Sequence, residues 1–276
     1  MLSSIFRKLP AFKGKHSLAR FLLKHDINEK SNVIVKGAQG LVYKLPNLKE
    51  SIGFEIYVNG VYEPAHIRLL VNNIPTNGTL LDLGANIGSI CIPVSKLRPD
   101  IKIIAVEASP KVFEYLRHNV EMNNCQNIYI ENFALSDSDG HQVAFYSPDE
   151  KFGKGSMSPV FTKVPEYVST ITLDSLIDKF KVDSVGFIKI DVEGYEGLVF
   201  RGGIRLLSST TAPPILFEFA DWAENLAMNV KCGDSQRILL DFGYKIHRVG
   251  SPRRLDPVKE VQTSGSAIFL AIKGKF

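Results

Sequence analysis

The sequence lacks the marks of a membrane-embedded or secreted protein. No run approaches the roughly 18 to 20 apolar residues that a bilayer span requires. The first apolar patches are interrupted by Arg7, Lys8, Lys13 and Lys15, so no cleavable leader is expected. Cysteine is scarce as well. Cys91, Cys125 and Cys232 are odd in number and too far apart for a metal knuckle, which argues against a disulfide framework and predicts reduced thiols in a cytoplasmic protein.

What the chain does have is enough apolar residue for a large core. At 276 residues and 45% hydrophobic, it reads as one α/β domain over 79–276, preceded by an N-terminal extension and cap over 1–78. Charge is unevenly placed. Residues 1–30 carry seven Lys or Arg against Asp26 and Glu29, a balance of +5, which leaves the remainder at −1 in a chain of net charge +4. Leu2, Ile5, Phe6, Leu9 and Phe12 beside those cations are placed to rest on an anionic membrane surface. Pro10 interrupts the helix, and a solvated helical extension docked on the domain is the competing reading.

The segment 31–78 reads as a small α+β preface. Val33–Val35, Gly40–Lys44 and Gly53–Val58 are β-type runs, and Asn59-Gly60 is a hairpin signal. Glu63-Pro64 then opens a helix through Ile67, Leu70 and Val71. Glu63 either complements the dipole of that helix or reaches the amino group of a bound cofactor.

Residues 79–91, TLLDLGANIGSIC, are the centre of the pattern. Thr79–Leu83 is a buried strand, and Gly84, Asn86 and Gly88 make a turn of residues that tolerate positive φ. Ile87, Ile90 and Cys91 have the spacing of one helix face. Glu107 closes the next apolar run, Ile101–Val106, 19 residues after Gly88. An acid at that strand tip suits the two hydroxyls of an adenosine ribose. Asp82 discriminates between adenosine cofactors. A carboxylate two residues before the first Gly repels a pyrophosphate, whereas S-adenosylmethionine carries a sulfonium, an amino group and no phosphate. The glycines at 84 and 88, with Ser89 at the last Gly position, also depart from the G-x-G-x-x-G of dinucleotide sites.

The alternation of strands and helices continues. Ser109-Pro110 starts a helix, and Ile128–Ile130 is a third strand whose end carries Phe133 and Ala134. There an adenine ring would lie against Phe133, or Phe133 is ordinary core. Between strands at Gln142–Ser147 and Tyr167–Ile171, the stretch PDEKFGKGSMSP is polar and Gly-rich, the pattern of a lid or of a surface insertion. A second constellation, FIKIDVEGYEGLVFRGG, places Asp191 at the carboxyl end of a buried strand, where open α/β sheets hold their ligands. Glu193 and Glu196 read as helix-dipole acids. PPILFE then delivers Glu218 at the end of a fifth strand, with Trp222 close by. Trp222 and Tyr146 either stack on a sugar face or are structural. Sixth and last strands follow at Tyr244–His247 and Ala267–Ile272. The segment joining them carries Arg253, Arg254 and Lys259 and reads as a solvated loop.

These residues resemble the FkbM family of S-adenosylmethionine-dependent methyltransferases. The matching blocks are YEP at 62–64, LDLGANIG at 81–88, VEASP at 106–110, ALSDSDG at 134–140, TLDSLI at 172–177, IKIDVEGYEGLVFRGG at 188–203 and PPILFE at 213–218. The resemblance implies a Rossmann-like, seven-stranded class I methyltransferase sheet whose last strand is antiparallel, inserted between the fifth and sixth. It implies methyl transfer to a hydroxyl, often of a sugar or another small natural product. It carries Asp82, Gly84, Asn86, Gly88 and Glu107 over as cofactor contacts, with Ala85 and Ala108 inside the same blocks.

For such chemistry Asp191 is the first candidate base and Glu218 the second. Two carboxylates and water also suit Mg²⁺, but two acids on adjacent strands do not by themselves make a metal site, and none is assigned. A nucleic-acid substrate is not expected, since the body is near neutral and Pro213-Pro214 precedes a strand instead of forming an Asn-Pro-Pro-aromatic motif. The alternative class is a catalytically silent domain that binds the cofactor or a protein partner.

Overall fold

A computed structural model describes the chain except for residues 1–4, 8, 11, 13, 251–253 and 275–276. Leu2, Lys8, Lys13 and Arg253 therefore lie outside the described residues. Two short helices, Lys15–Leu22 and Lys24–Glu29, lead into an antiparallel pair, β1 (Ser31–Lys36) and β2 (Val42–Asn47). No helix among the described residues is long and apolar enough to cross a membrane.

The expected strand at Gly53–Val58 is instead a helix, Ser51–Asn59. Ile52, Gly53, Phe54, Ile56, Tyr57 and Val58 are all buried, so the segment has no alternation of buried and exposed positions to hold it in a half-exposed strand. Its ends are made locally. Ser51 N donates to the Glu50 carboxylate at 2.8 Å, and Gly60, at φ 81°, closes the last turn by donating to Ile56 O at 2.9 Å. Asn59-Gly60 is thus a helix terminus and not a hairpin. The helix Pro64–Asn73 follows as expected, with Pro64 in its first turn.

The main sheet is built from β3 (Thr79–Leu83), β4 (Lys102–Val106), β5 (Ile128–Glu131), β9 (Phe187–Ile190), β10 (Ile215–Ala220), β11 (Lys245–Gly250), β12 (Arg254–Pro257) and β13 (Ser266–Ile272). A separate small sheet holds β6 (Ala134–Leu135), β7 (Gln142–Phe145) and β8 (Glu166–Ile171). The main order is β12-β11-β13-β10-β9-β3-β4-β5. β3 runs parallel to both β4 and β9, and β13 runs antiparallel between β10 and β11. The expected seven-stranded plan is present, extended by β12 at the edge. That strand occupies part of the segment read as a solvated loop, and its antiparallel pairing runs from Gly250↔Arg254 to His247↔Pro257.

The strands bury both faces, and neighbouring residues join opposite cores. Leu80, Ile103 and Phe187 pack on one side, together with Leu45, Phe54 and Leu70 from the N-terminal segment. Leu81, Ile104, Ile188 and Phe217 pack on the other. Because β4 and β9 leave β3 on opposite sides, the strand order reverses at β3, and the crevice beyond its carboxyl end is where a ligand belongs.

The N-terminal segment is clipped to the sheet by two amides, Asn119 at Lys44 and Asn123 at Val42. Asn119, fully buried on the helix Pro110–Met122, accepts from Lys44 N at 2.6 Å and donates to Ile87 O at 2.9 Å. Asn119→Ala strips partners from three backbone groups at once, Lys44 N, Lys44 O and Ile87 O, and is expected to cost about 2 to 3 kcal/mol of unfolding free energy, read from urea denaturation at neutral pH.

Candidate active site

The turn after β3 is a loop until Cys91, where the helix Cys91–Leu97 starts later than the apolar spacing suggests. Three positive φ values in five residues, 76° at Gly84, 52° at Asn86 and 85° at Gly88, keep the backbone out of the helix. Gly84 is required for a second reason. A Cβ there would lie 1.9 Å from Asp191 O, so only glycine lets β3 and β9 end this close together. Gly84 and Ala85 each donate to Val106 O at 2.9 Å, which holds the turn against the tip of β4.

Glu107 stands at that tip. One carboxylate oxygen accepts from Asn86 N and the other from Ser109 N, each at 2.9 Å. Burial pushes this carboxyl up to about 7 against those two hydrogen bonds. Glu107 lines a cleft together with Gly84, Ala85, Asn86 and Ala108. Phe133 and Ala134 form another part of its wall, and Glu63 a further part. The Glu63 carboxylate lies 2.8 Å from His66 Nδ1.

Two residues read as cofactor contacts lie elsewhere. Asp82 is fully buried beneath the turn, where its carboxylate is 3.4 Å from Lys189 Nζ and does not line the cleft. Gly88 is packed under Ile92 and Leu116. Lys189, unremarked in the sequence, also donates to Gly84 O at 3.0 Å. Burial works to lower its pKa, and Asp82, Asp191 and Glu63 overcome this and raise it, so the ammonium stays charged.

Asp191 is the first residue beyond β9 and faces both the cleft and an adjoining cavity. Glu218 lines the second cavity. It is not at the end of its strand, because β13 pairing carries β10 on to Ala220. The register Phe217↔Ile190 nevertheless sets Glu218 level with Asp191. A third acid joins them. Glu193, at φ 51°, lies ahead of the helix Glu196–Arg201 and turns into both cavities. Glu196, by contrast, stays at the helix start and accepts from Val192 N at 2.9 Å. The Gly194 that follows Glu193, at φ 95°, was the available signal that the chain turns here before helix begins.

Oxygens of Asp191, Glu193 and Glu218 come within 4.8 Å of one another. Burial, followed by the charge on Asp191, pushes Glu193 up to about 8 and Glu218 up to about 7. These oxygens have the chemistry that suits a divalent cation. A cation is already supplied by the chain, since Lys154 Nζ lies 2.8 Å from Glu193.

Lys154 belongs to the polar loop between β7 and β8, which lies across the cleft. Phe152 is buried, Asn86 Nδ2 donates to its carbonyl at 3.2 Å, and Gly153, Gly155 and Met157 line the cleft. Trp222 stands at the edge against Phe161, ring centroids 5.8 Å apart, with Lys154 Nζ 5.6 Å from the indole. Tyr146 is held in place by two backbone hydrogen bonds to Ser156 at 2.8 and 3.1 Å.

The family model described as the methyltransferase FkbM domain matches residues 82–246. The chain belongs to the FkbM methyltransferase family. Over 144 residues it is 31% identical to the hexuronic acid methyltransferase AglP of Haloferax volcanii, covering 52% of this chain and 57% of that protein. It is 26% identical over 144 residues to methyltransferase sdnD of Sordaria araneosa, covering 50% of each. The chain thus spans about half the length of these relatives. Among solved structures it is similar to precorrin-6y C5,15-methyltransferase from Geobacter metallireducens, with 14% identity, 78% of this chain and 93% of that one covered, and a TM-score of 0.43. The main sheet of this FkbM-family chain has the Rossmann-like class I methyltransferase order, with β12 added.

In this FkbM-family cleft, Gly84 is the position least able to change. Gly84→Ala forces a side chain into φ 76° and against Asp191 O, and is expected to lower stability by about 3 kcal/mol or more, measured by thermal or urea unfolding.

Proposed function

We propose that the protein is an S-adenosylmethionine-dependent O-methyltransferase whose acceptor is a hydroxyl of a small molecule, a sugar or glycan. The observation that carries this reading is Glu107. Each of its oxygens is fixed by one backbone donor, at the tip of the second strand of the sheet, in a cleft that continues to the acid group at Asp191. A carboxylate so held accepts the two hydroxyls of a ribose, and Phe133 and Ala134 supply a wall for the adenine. Glu63 is placed for the amino group. The cofactor, when bound, supplies an electrophilic methyl on a sulfonium. The family membership supports methyl transfer, and the activity named for AglP supports a sugar acceptor.

The protein's own contribution is to position the hydroxyl and accept its proton. Asp191 is the proposed base, since it faces both cavities and so stands between cofactor and acceptor. Glu218, beside it, is the proposed secondary acceptor of the proton. The Lys154–Glu193 pair fixes the far side of the acid group, and the loop around Phe152 excludes water from the cleft.

The sign of the pH dependence follows from Glu218. Its carboxyl, pushed up to about 7, is protonated below neutrality and free to take a proton above it, so at saturating cofactor the rate of transfer rises with pH through about 7. The test is transfer of labelled methyl from S-adenosylmethionine to neutral sugars, uronic acids and simple alcohols. Asp191→Asn is expected to lower kcat by about 10² to 10⁴-fold, and Glu218→Gln to flatten the pH step with a smaller loss. Saturable cofactor binding without transfer to any hydroxyl would favour the silent-domain alternative, and an undiminished Asp191→Asn would remove Asp191 from the role of base.

A further inference from the structure

The helix Lys15–Leu22 is apolar on two sides. Ala19 is fully buried against the domain, and Leu23 and Ile27 continue that contact. On the other side, at i, i+3 and i+4, Leu18, Phe21 and Leu22 are 44%, 77% and 48% exposed. A helix in water turns its largest apolar side chains inward, and this one docks through a methyl group and presents a Phe and two Leu outward. Ile5, Leu9 and Phe12, just before it, are also exposed.

A cation borders this apolar stripe. The Arg20 guanidinium turns to the domain, 4.2 Å over the Phe54 ring, and Lys24, one turn later, is exposed. Among the described residues neither has a carboxylate partner. The same 30 residues hold the +5 excess, against −1 for the rest of the chain. A second copy of this face would bring two such excesses together and be repelled. An anionic bilayer supplies what both features lack, negative charge for the cations and a hydrocarbon boundary for the apolar stripe.

We propose that this face is a docking surface for an anionic lipid membrane, with Phe21, Leu18 and Leu22 inserted at the headgroup boundary and Lys24 against lipid phosphates. The docked helix is tied to the wall of the cleft. His16 Nδ1 lies 3.2 Å from Glu55 and its Nε2 3.1 Å from Asn59, both on the helix Ser51–Asn59, whose Ile52 lines the cleft. The proposal stands independently of the methyl-transfer reading.

The test is co-sedimentation of the full chain with vesicles of phosphatidylcholine alone or with a third of phosphatidylglycerol, at low and high salt. The expected result is partition into the anionic vesicles at least about tenfold stronger than into the neutral ones, weakened by salt. Phe21→Ser with Leu22→Ser should lower that partition by about tenfold, and Lys24→Glu by a smaller factor, without moving the thermal midpoint, since all three side chains are exposed. Equal partition into both vesicles, no partition into either, or indifference to the double substitution would overturn it. So would a concentration-dependent dimer in ultracentrifugation that the double substitution dissolves, because it would assign the stripe to a second copy.

Discussion

A single buried ammonium makes the centre of this protein possible. Lys189 lies in β9, between the glycine turn and the acid group, 3.4 Å from Asp82 and 3.0 Å from Gly84 O. Asp82 is completely out of water, and a lone carboxylate there would carry a desolvation cost of several kcal/mol. The same cation acts on Asp191 at the end of β9 and on Glu63 at the start of the helix Pro64–Asn73. A sheet that aims several carboxylates at one crevice needs such a counter-charge, and the chain places it in the central strand, where register fixes it and side-chain entropy is already lost. The unusual acidity follows. Glu107, Glu193 and Glu218 are drawn up to between about 7 and 8 by burial, because one ammonium cannot serve them all.

The loop between β7 and β8 adds the second positive charge. Lys154 Nζ lies 2.8 Å from Glu193. The loop is also tied down at Asn86, and through Ser158 Oγ, which donates to Leu226 O at 2.7 Å. Its polar, glycine-rich composition therefore serves close packing across a charged cleft, with Gly155 lying where a Cβ would meet the Phe145 ring at 2.7 Å.

Much of this was legible in the sequence where local rules decide. The glycine turn, the acid at 107 and the strand–helix alternation each follow from positive φ, from strand ends and from apolar spacing, all read within a few residues. The places that were misread depend on distant partners. Gly53–Val58 looked like a strand because five of its six residues are apolar or glycine and carry no period, and burial of all of them but Glu55 chose the helix. Asp82 looked like a ligand contact because the residues just after it line the cleft, yet it lies beneath them, and Lys189, more than a hundred positions later, pairs with it. Glu193 looked like a dipole acid, and only a backbone turn at positive φ directs it inward. β12 needed β11 to exist before it could pair.

The account rests on Glu107 holding the ribose of the cofactor, and calorimetric titration with S-adenosylhomocysteine tests this most directly. Hydroxyls that donate to the carboxylate bind its deprotonated form. The account therefore predicts one site per chain, with affinity level above pH 7 and falling up to about tenfold per pH unit below it, as the carboxyl at about 7 becomes protonated. Glu107→Gln should bind weakly and without that pH step. No binding by folded protein at pH 8, or binding that Glu107→Gln leaves intact, would contradict it.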